Sequence, residues 1–298
     1  MDIFSLTQSY RTYLLLERAL SYNSICAYMS DLEKLLKYFE SINKNPLDAE
    51  LKDLQDMIVM LCEIGISPRS QARIISGMKS FYYFLELENK ITNNPTSILE
   101  TPIIPKKLPI FLSLEEINKI VASVDLKKSE GQRNKAVIET LYSCGLRVSE
   151  LINLTFSNYF PEENFLIVIG KGGKERMVPI SSIAIAEIKK YLFKRPVSKK
   201  GYENIIFLNK NGTIISRISI FNIVKECTKR AGINKNVSPH TFRHSFATHL
   251  IEGGASLRAI QEMLGHERIS TTEIYTHLDM IFLRSEIINH HPRNQLLF

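Results

Sequence analysis

The four cysteines, Cys26, Cys62, Cys144 and Cys227, stand far apart and form no C-x-x-C pair. That spacing argues against a disulfide framework and for buried free thiols in a reducing compartment. No apolar run, the five residues Phe165 to Ile169 included, approaches the roughly 20 residues that a membrane span needs. The first residues lack the basic, apolar and small-residue succession of a secretory signal. A cytoplasmic protein without membrane insertion is therefore expected. There is no internal repeat and no low-complexity tract, which leaves ordinary globular domains. The glycine-rich stretch Gly170-Lys171-Gly172-Gly173-Lys174-Glu175 is not a G-x-x-x-x-G-K-[ST] phosphate loop, and no helix follows it at once.

What is present is length, ordinary apolar content and an uneven basic charge. With 298 residues the chain can bury two cores, and 44% hydrophobic content is enough to fill them. The net charge is +7. Residues 1–107 carry 12 Lys and Arg against 13 Asp and Glu, whereas residues 108–298 carry 26 against 18. The surplus lies wholly in the second part, as a polyanionic partner would require, nucleic acid before membrane. On charge alone, a solvated basic surface fits as well.

Hydrophobic periodicity predicts a mainly α protein with a small β-sheet, in two domains. Residues 1–88 read as a four-helix domain. Its helices lie near Phe4 to Leu20, over Ser21 to Ser41, over Leu51 to Ile64, and from Ser67-Pro68 onward along Ala72, Ile75, Met78, Tyr82 and Leu85. Arg69, Arg73 and Lys79 share the last helix and suit either DNA contact or a solvated face. Residues 89–109, with Pro95, Pro102, Pro105 and Pro109, read as a linker that would let two domains close on DNA as a clamp.

Residues 110–298 form the second, α+β domain. Ser113-x-x-Glu116 is a capping box. A helix over 132–144 ends at Gly145, just before Arg147. Strands are predicted over Phe165 to Ile169 and Arg176 to Ile180, with Lys171 in the loop between them. A helix near 181–194, a short strand at Ile205 to Leu208, the turn Asn211-Gly212 and a helix over 217–230 follow.

Ser238-Pro239 opens the helix that carries His240 and Arg243 three residues apart, so both project from its first turn. Free N–H groups and the helix dipole make that turn a seat for an anion. Gly253-Gly254 ends the helix, Ser256 opens the next, and Gly265 stops it with His266 just beyond. Thr271, Thr272 and Tyr275 follow in a polar, helix-like stretch, where Tyr275 is a candidate nucleophile. Taken singly, these residues have plainer readings: Arg147 as an ion-pair partner of Glu150, His240 as a surface histidine, Tyr275 as a half-buried aromatic. His244 and His249 read as structural.

The order Arg147, Lys171, His240, Arg243, His266, Tyr275 closely resembles the tyrosine recombinases. The strings GLRVSEL, GKGGKER, SPHTFRHSFATHL and LGHERISTTEIYTH carry the resemblance, and it extends through His290-His291-Pro292-Arg293. Among that family the chain looks most like the bacterial Xer recombinases. Only Asn294 to Phe298 stay unassigned. The resemblance implies a helical core-binding domain followed by a catalytic domain, and cleavage of double-stranded DNA through a 3′-phosphotyrosyl link. Tyr275 would be the nucleophile, His240 its base, Arg147 and Arg243 the phosphate clamp, Lys171 the general acid and His266 a supporting group. No cofactor, ATP or metal is implied.

The implied partners are a DNA recombination site, a homo- or hetero-tetramer with a related recombinase, and a DNA translocase. The segment Phe282 to Asn289 would then pack into a neighbouring protomer; by its residues alone it could equally cap its own domain. A mobile-element integrase of the same chemistry and a non-cutting DNA-binding accessory protein stand beside resolution of chromosome dimers.

Overall fold

The computed structural model describes residues 3–104, 110–170, 173–265 and 277–295. The chain divides into two units, residues 1–107 and 108–298. The first is a bundle of α1 (Ile3–Leu16), α2 (Tyr22–Ser41), α3 (Leu51–Glu63) and α4 (Pro68–Leu87). Serine sets two of the starts: Ser21 and Ser67 each accept the backbone N–H three residues on, and Pro68 occupies the first turn of α4. The predicted stripes face inward, so Leu14, Leu35, Phe39, Leu54, Met57, Tyr82 and Leu85 are fully buried. Leu99 joins the same core from beyond α4, so the proline-rich stretch starts out packed on this unit.

Arg73 is less free than the sequence suggests. It is ion-paired to Asp31, an acid only 2% exposed, and Lys34 bonds the same carboxylate at 3.1 Å. The thiols also split: Cys144 and Cys227 are buried, but Cys26 and Cys62 are exposed. The expectation of four buried thiols thus fails in the small first unit, where α2 and α3 each keep one face in solvent.

The second unit packs helices around a three-stranded antiparallel sheet. It opens with α5 (Leu114–Ala122), whose Ser113–Glu116 capping box forms as predicted. Next come α6 (Gly131–Cys144) and the short α7 (Val148–Ile152). The sheet has order β1-β2-β3: β1 (Tyr159–Phe160), β2 (Phe165–Ile169) and β3 (Glu175–Pro179). Val168 faces Arg176 and Ile169 faces Glu175, which places 170–174 as the hairpin loop. Then follow α8 (Ser182–Leu192), α9 (Arg217–Arg230), α10 (Pro239–Glu252) and α11 (Leu257–Leu264). The described chain ends with α12 (His277–His290) and α13 (Pro292–Gln295).

The strand predicted at Ile205 to Leu208 does not join the sheet. Ile206, Phe207 and Leu208 are fully buried as a strand core would be, yet only single bridges form, Thr155 to Ile205 and Leu208 to Ile214. Side chains do the work of a ladder. Arg195 donates to the carbonyls of Tyr202, Glu203, Ile205 and Ile206, and the Leu208 N–H donates to the Tyr191 hydroxyl at 3.0 Å. Buried backbone groups need partners, and here an arginine supplies them.

The C-terminal segment caps its own unit. Leu283 and Ile287 enter the core formed by α5 to α11. Beyond them, Arg293 grips Glu139 of α6 through two bonds of 2.9 and 3.1 Å, both side chains nearly fully buried. Leu296 to Phe298, the apolar part of the unassigned tail, lies outside the described residues.

Candidate active site

The site begins where α6 stops. Gly145 adopts φ +57°, which ends the helix and turns the chain so that Arg147 becomes the N-cap of α7. A side chain at 145 is doubly disfavoured, because its Cβ would stand 2.5 Å from the Phe246 ring on α10. This close approach brings the two helices together and with them the two arginines. The Gly145 carbonyl accepts a 2.8 Å bond from Nη1 of Arg243, and Arg243 also donates to the Leu264 carbonyl at the end of α11.

Arg147 reaches the same helix end. Its Nη2 donates to the Gly265 carbonyl at 3.1 Å, while Nη1 and the backbone N–H hold the two oxygens of Glu150, each at 2.8 Å. Gly265 itself sits at φ +63° and closes α11. Arg147 and Arg243 therefore converge on neighbouring carbonyls, Leu264 and Gly265, directly before His266 in the chain.

At the centre is Glu150, 4% exposed. Arg176 of β3, equally buried, binds both its oxygens at 2.8 Å and donates through Nε to the Met263 carbonyl at 2.7 Å. Arg243 adds a longer contact of 3.9 Å. Three guanidiniums thus surround one carboxylate, and the local surplus is positive. Burial pulls the Glu150 carboxyl up, but the bonds and charge of Arg176 and Arg147 outweigh it and hold the group below its usual range. Burial, and then the positive charge of Arg147, lowers the Arg243 guanidinium to about 10. It stays charged at neutral pH, in a place where an added anion would relieve the repulsion.

Of the six residues singled out from sequence, the structure brings Arg147 and Arg243 together. His240 lies exposed in the first turn of α10, one turn before Arg243. Lys171, His266 and Tyr275 lie outside the described residues. The hairpin whose loop contains Lys171 is rooted at the site through Arg176, and the last described residue of α11's cap, Gly265, immediately precedes His266. His249 is structural, as expected: it is buried, and its Nδ1 is 2.9 Å from the Tyr142 hydroxyl.

Two organising residues are not singled out by the sequence: Glu150 reads there only as an ion-pair partner of Arg147, and Arg176 only as the start of a strand. The signal for Glu150 is its place three residues after Arg147, the spacing of an N-terminal capping pair. Nothing local marks Arg176, whose carboxylate partner lies 26 residues away.

Among the described residues, two of the five N–H groups of Arg147 and two of Arg243 are engaged by side-chain bonds to the protein. A pair of such forks, preset by backbone carbonyls and one shared acid, is suited to an oxyanion that gains charge during reaction. No group of His, Cys, Asp or Glu among the described residues could hold a metal ion. No helix among them is long and apolar enough to cross a membrane.

The chain is similar to known proteins over nearly its whole length. Residues 111–281 match the phage integrase family, and residues 7–89 match the phage integrase N-terminal SAM-like domain. The tyrosine recombinase XerD of Chlorobaculum tepidum is 42% identical over 292 residues, covering 96% of each chain. XerD of Listeria monocytogenes is 39% identical over 293 residues, covering 97% of this chain and 99% of its own. The fold resembles that of the XerH site-specific recombinase bound to a palindromic difH substrate in a post-cleavage complex. There the TM-score is 0.71 at 23% identity, over 95% of this chain and 84% of that one. From its N-terminal bundle to its C-terminal α+β unit, the chain belongs to the phage integrase family of tyrosine recombinases and is a site-specific recombinase of the Xer type.

Proposed function

We propose that this recombinase resolves joined chromosome copies at a single DNA site before cell division, through a 3′-phosphotyrosyl intermediate. The observation that carries the chemistry is the convergence of Arg147 and Arg243 around Glu150 at the ends of α6 and α11. In this reading the Tyr275 hydroxyl attacks the scissile phosphorus. Its proton passes to His240, the bond to the 5′-oxygen breaks, and Lys171 protonates that oxygen as it leaves. Arg147 and Arg243 bind the non-bridging oxygens, whose charge rises in the transition state; His266 supports them. Rejoining is the same path reversed, with a different 5′-hydroxyl as the attacking group.

A phenol needs such help, since its ordinary pKa is about 10 and little of it is ionised at neutral pH. The phosphodiester's energy is kept in the tyrosyl link, so exchange proceeds without ATP. The partner is double-stranded DNA, which suits the basic balance of residues 108–298. The XerH and integrase structures with the same fold are bound to their DNA substrates, and one integrase forms a tetramer on a Holliday junction. We extend that arrangement to this chain: four protomers, of one or two related kinds, on two sites, in the cytoplasm, with a DNA translocase as a further partner. A mobile-element integrase would share all the chemistry.

The test is recombination of a plasmid carrying two direct copies of the candidate chromosomal site, taken from the source genome by its inverted half-sites. Excision by this chain, alone or with a related recombinase from the same genome, is the expected result. Excision only at the ends of a mobile element would assign the chain to an integrase instead. A cell lacking the protein should also accumulate chains of undivided cells.

A further inference from the structure

Arg176 has no part in the chemistry described above, yet it is more fully engaged than Arg147 or Arg243, the other described cations of the site. It is 4% exposed. All three of its nitrogens are engaged: two on Glu150, one on the Met263 carbonyl. A glycine makes space for it: a Cβ on Gly265 would approach its Cδ and Nε to 3.1 and 3.2 Å. Its position in β3 is opposite Val168, two residues after Lys174, so it stands at the root of the 170–174 loop.

One side chain therefore joins three pieces of the site. Through Glu150 it meets the acid that holds Arg147. Through Met263 it meets the end of α11, whose next carbonyls bind Arg243 and Arg147. Through its own backbone it fixes the base of the hairpin that carries Lys171. A buried arginine is costly unless every part of it is paired, and hydrophobic residues would fill the same volume at less cost. A lysine would not replace it, because one ammonium cannot hold a carboxylate with two parallel bonds and a carbonyl with a third.

We infer that Arg176 is a positioning residue that fixes the Lys171 hairpin to the arginine centre, so that the leaving 5′-oxygen receives its proton in the same geometry that the arginines impose on the phosphate. This rests on the roles given above to Tyr275 and Lys171. Without Arg176 the loop loses its tether to Glu150 and α11, and proton delivery fails before phosphate binding does.

The test compares two nicked suicide duplexes of the candidate site, identical except that one carries sulfur in place of the bridging 5′-oxygen. A thiol ionises near pH 8.5, so it departs as thiolate and needs no proton. Full-length wild type, Lys171→Ala, Arg176→Met and Arg176→Lys, each with the related recombinase from the same genome present, are assayed for the rate of covalent adduct formation, with melting curves of each. On oxygen DNA, Arg176→Met should be slower by ~10²-fold, the usual worth of a general acid. On sulfur DNA it should return close to the wild-type rate, as Lys171→Ala should. If Arg176→Met melts too low to assay, Arg176→Lys carries the same comparison.

An equal loss on both duplexes would overturn the inference and leave Arg176 a structural ion pair. Sulfur rescue of Arg176→Met without rescue of Lys171→Ala would also overturn it. A wild type that forms no adduct on either duplex would instead refute the catalytic reading itself, and the inference with it.

Discussion

At the scale of single residues the site is an argument about geometry more than charge. Arg243 is nearly buried and holds two carbonyls in fixed directions. If Arg243 clamps the phosphate as proposed, Arg243→Lys should lose cleavage by ~10²–10³-fold although it keeps the positive charge, because a lysine lacks the planar fork. Initial rates of adduct formation on saturating DNA would check this, and a loss below tenfold would contradict it. Glu150 is the opposite case, an acid held by Arg147 and Arg176 that neutralises part of a cationic cluster. Glu150→Ala leaves buried guanidiniums without their anion and should cost about 3–5 kcal/mol. The measurement is a urea midpoint that falls with unchanged slope.

At the scale of elements, Gly145 shows how one backbone position makes the site. Its φ of +57° ends α6, its bare Cα admits Phe246, and its carbonyl takes Arg243. Gly145→Ala should destabilise by about 1–3 kcal/mol through overpacking and should slow cleavage as well. Loss of stability with full cleavage activity in the folded fraction would show that the two functions of the position are separable.

The docking of α12 and α13 carries a pH signature. His291 is fully buried beside Tyr142, Phe246 and Arg293, and burial together with the Arg293 charge pushes its pKa down to about 3. Unfolded, it would titrate near 6.5. Between those values the unfolded chain binds a proton that the folded one refuses, so stability falls as pH falls from about 6.5 toward 3. His249, lowered mainly by burial, adds to the same slope. Glu150 adds its own loss only at lower pH, below the usual carboxylate range. His291→Gln should thus flatten, without abolishing, the decline in melting temperature between about pH 6.5 and 5.

These elements also show what the sequence makes legible. Helix starts at Ser67-Pro68, Ser113 and Ser238-Pro239 are local chemistry, and each forms where it was expected. Arg147 and Arg243 stand out because neighbouring residues spell their context. Arg176 and Arg195 do not, since what they hold is set by the packing of other segments. Arg195 in particular replaces a predicted strand by satisfying its carbonyls, which no periodicity can announce.

At the scale of the whole molecule, charge decides the encounter with DNA. A surplus confined to residues 108–298 implies binding through phosphate contacts and release of counterions. If the protein makes about 6–10 such contacts, affinity for the recombination site should fall ~10³–10⁵-fold between about 50 and 200 mM salt. A flat salt profile would be incompatible with that mode of binding. Specificity would come from base contacts superimposed on this term, and from the pairing of protomers on inverted half-sites.

The central claim is that Tyr275 becomes covalently joined to DNA under the control of the Arg147–Arg243 pair. It is tested most directly by incubating the full chain with a nicked suicide duplex of the recombination site, with its related recombinase present, and mapping the denaturant-resistant adduct by peptide mass. The expected result is a DNA 3′-phosphate joined to Tyr275, absent in Tyr275→Phe and sharply reduced in Arg243→Ala. An adduct on another residue, or a wild type that binds the site tightly and never forms one, would contradict it.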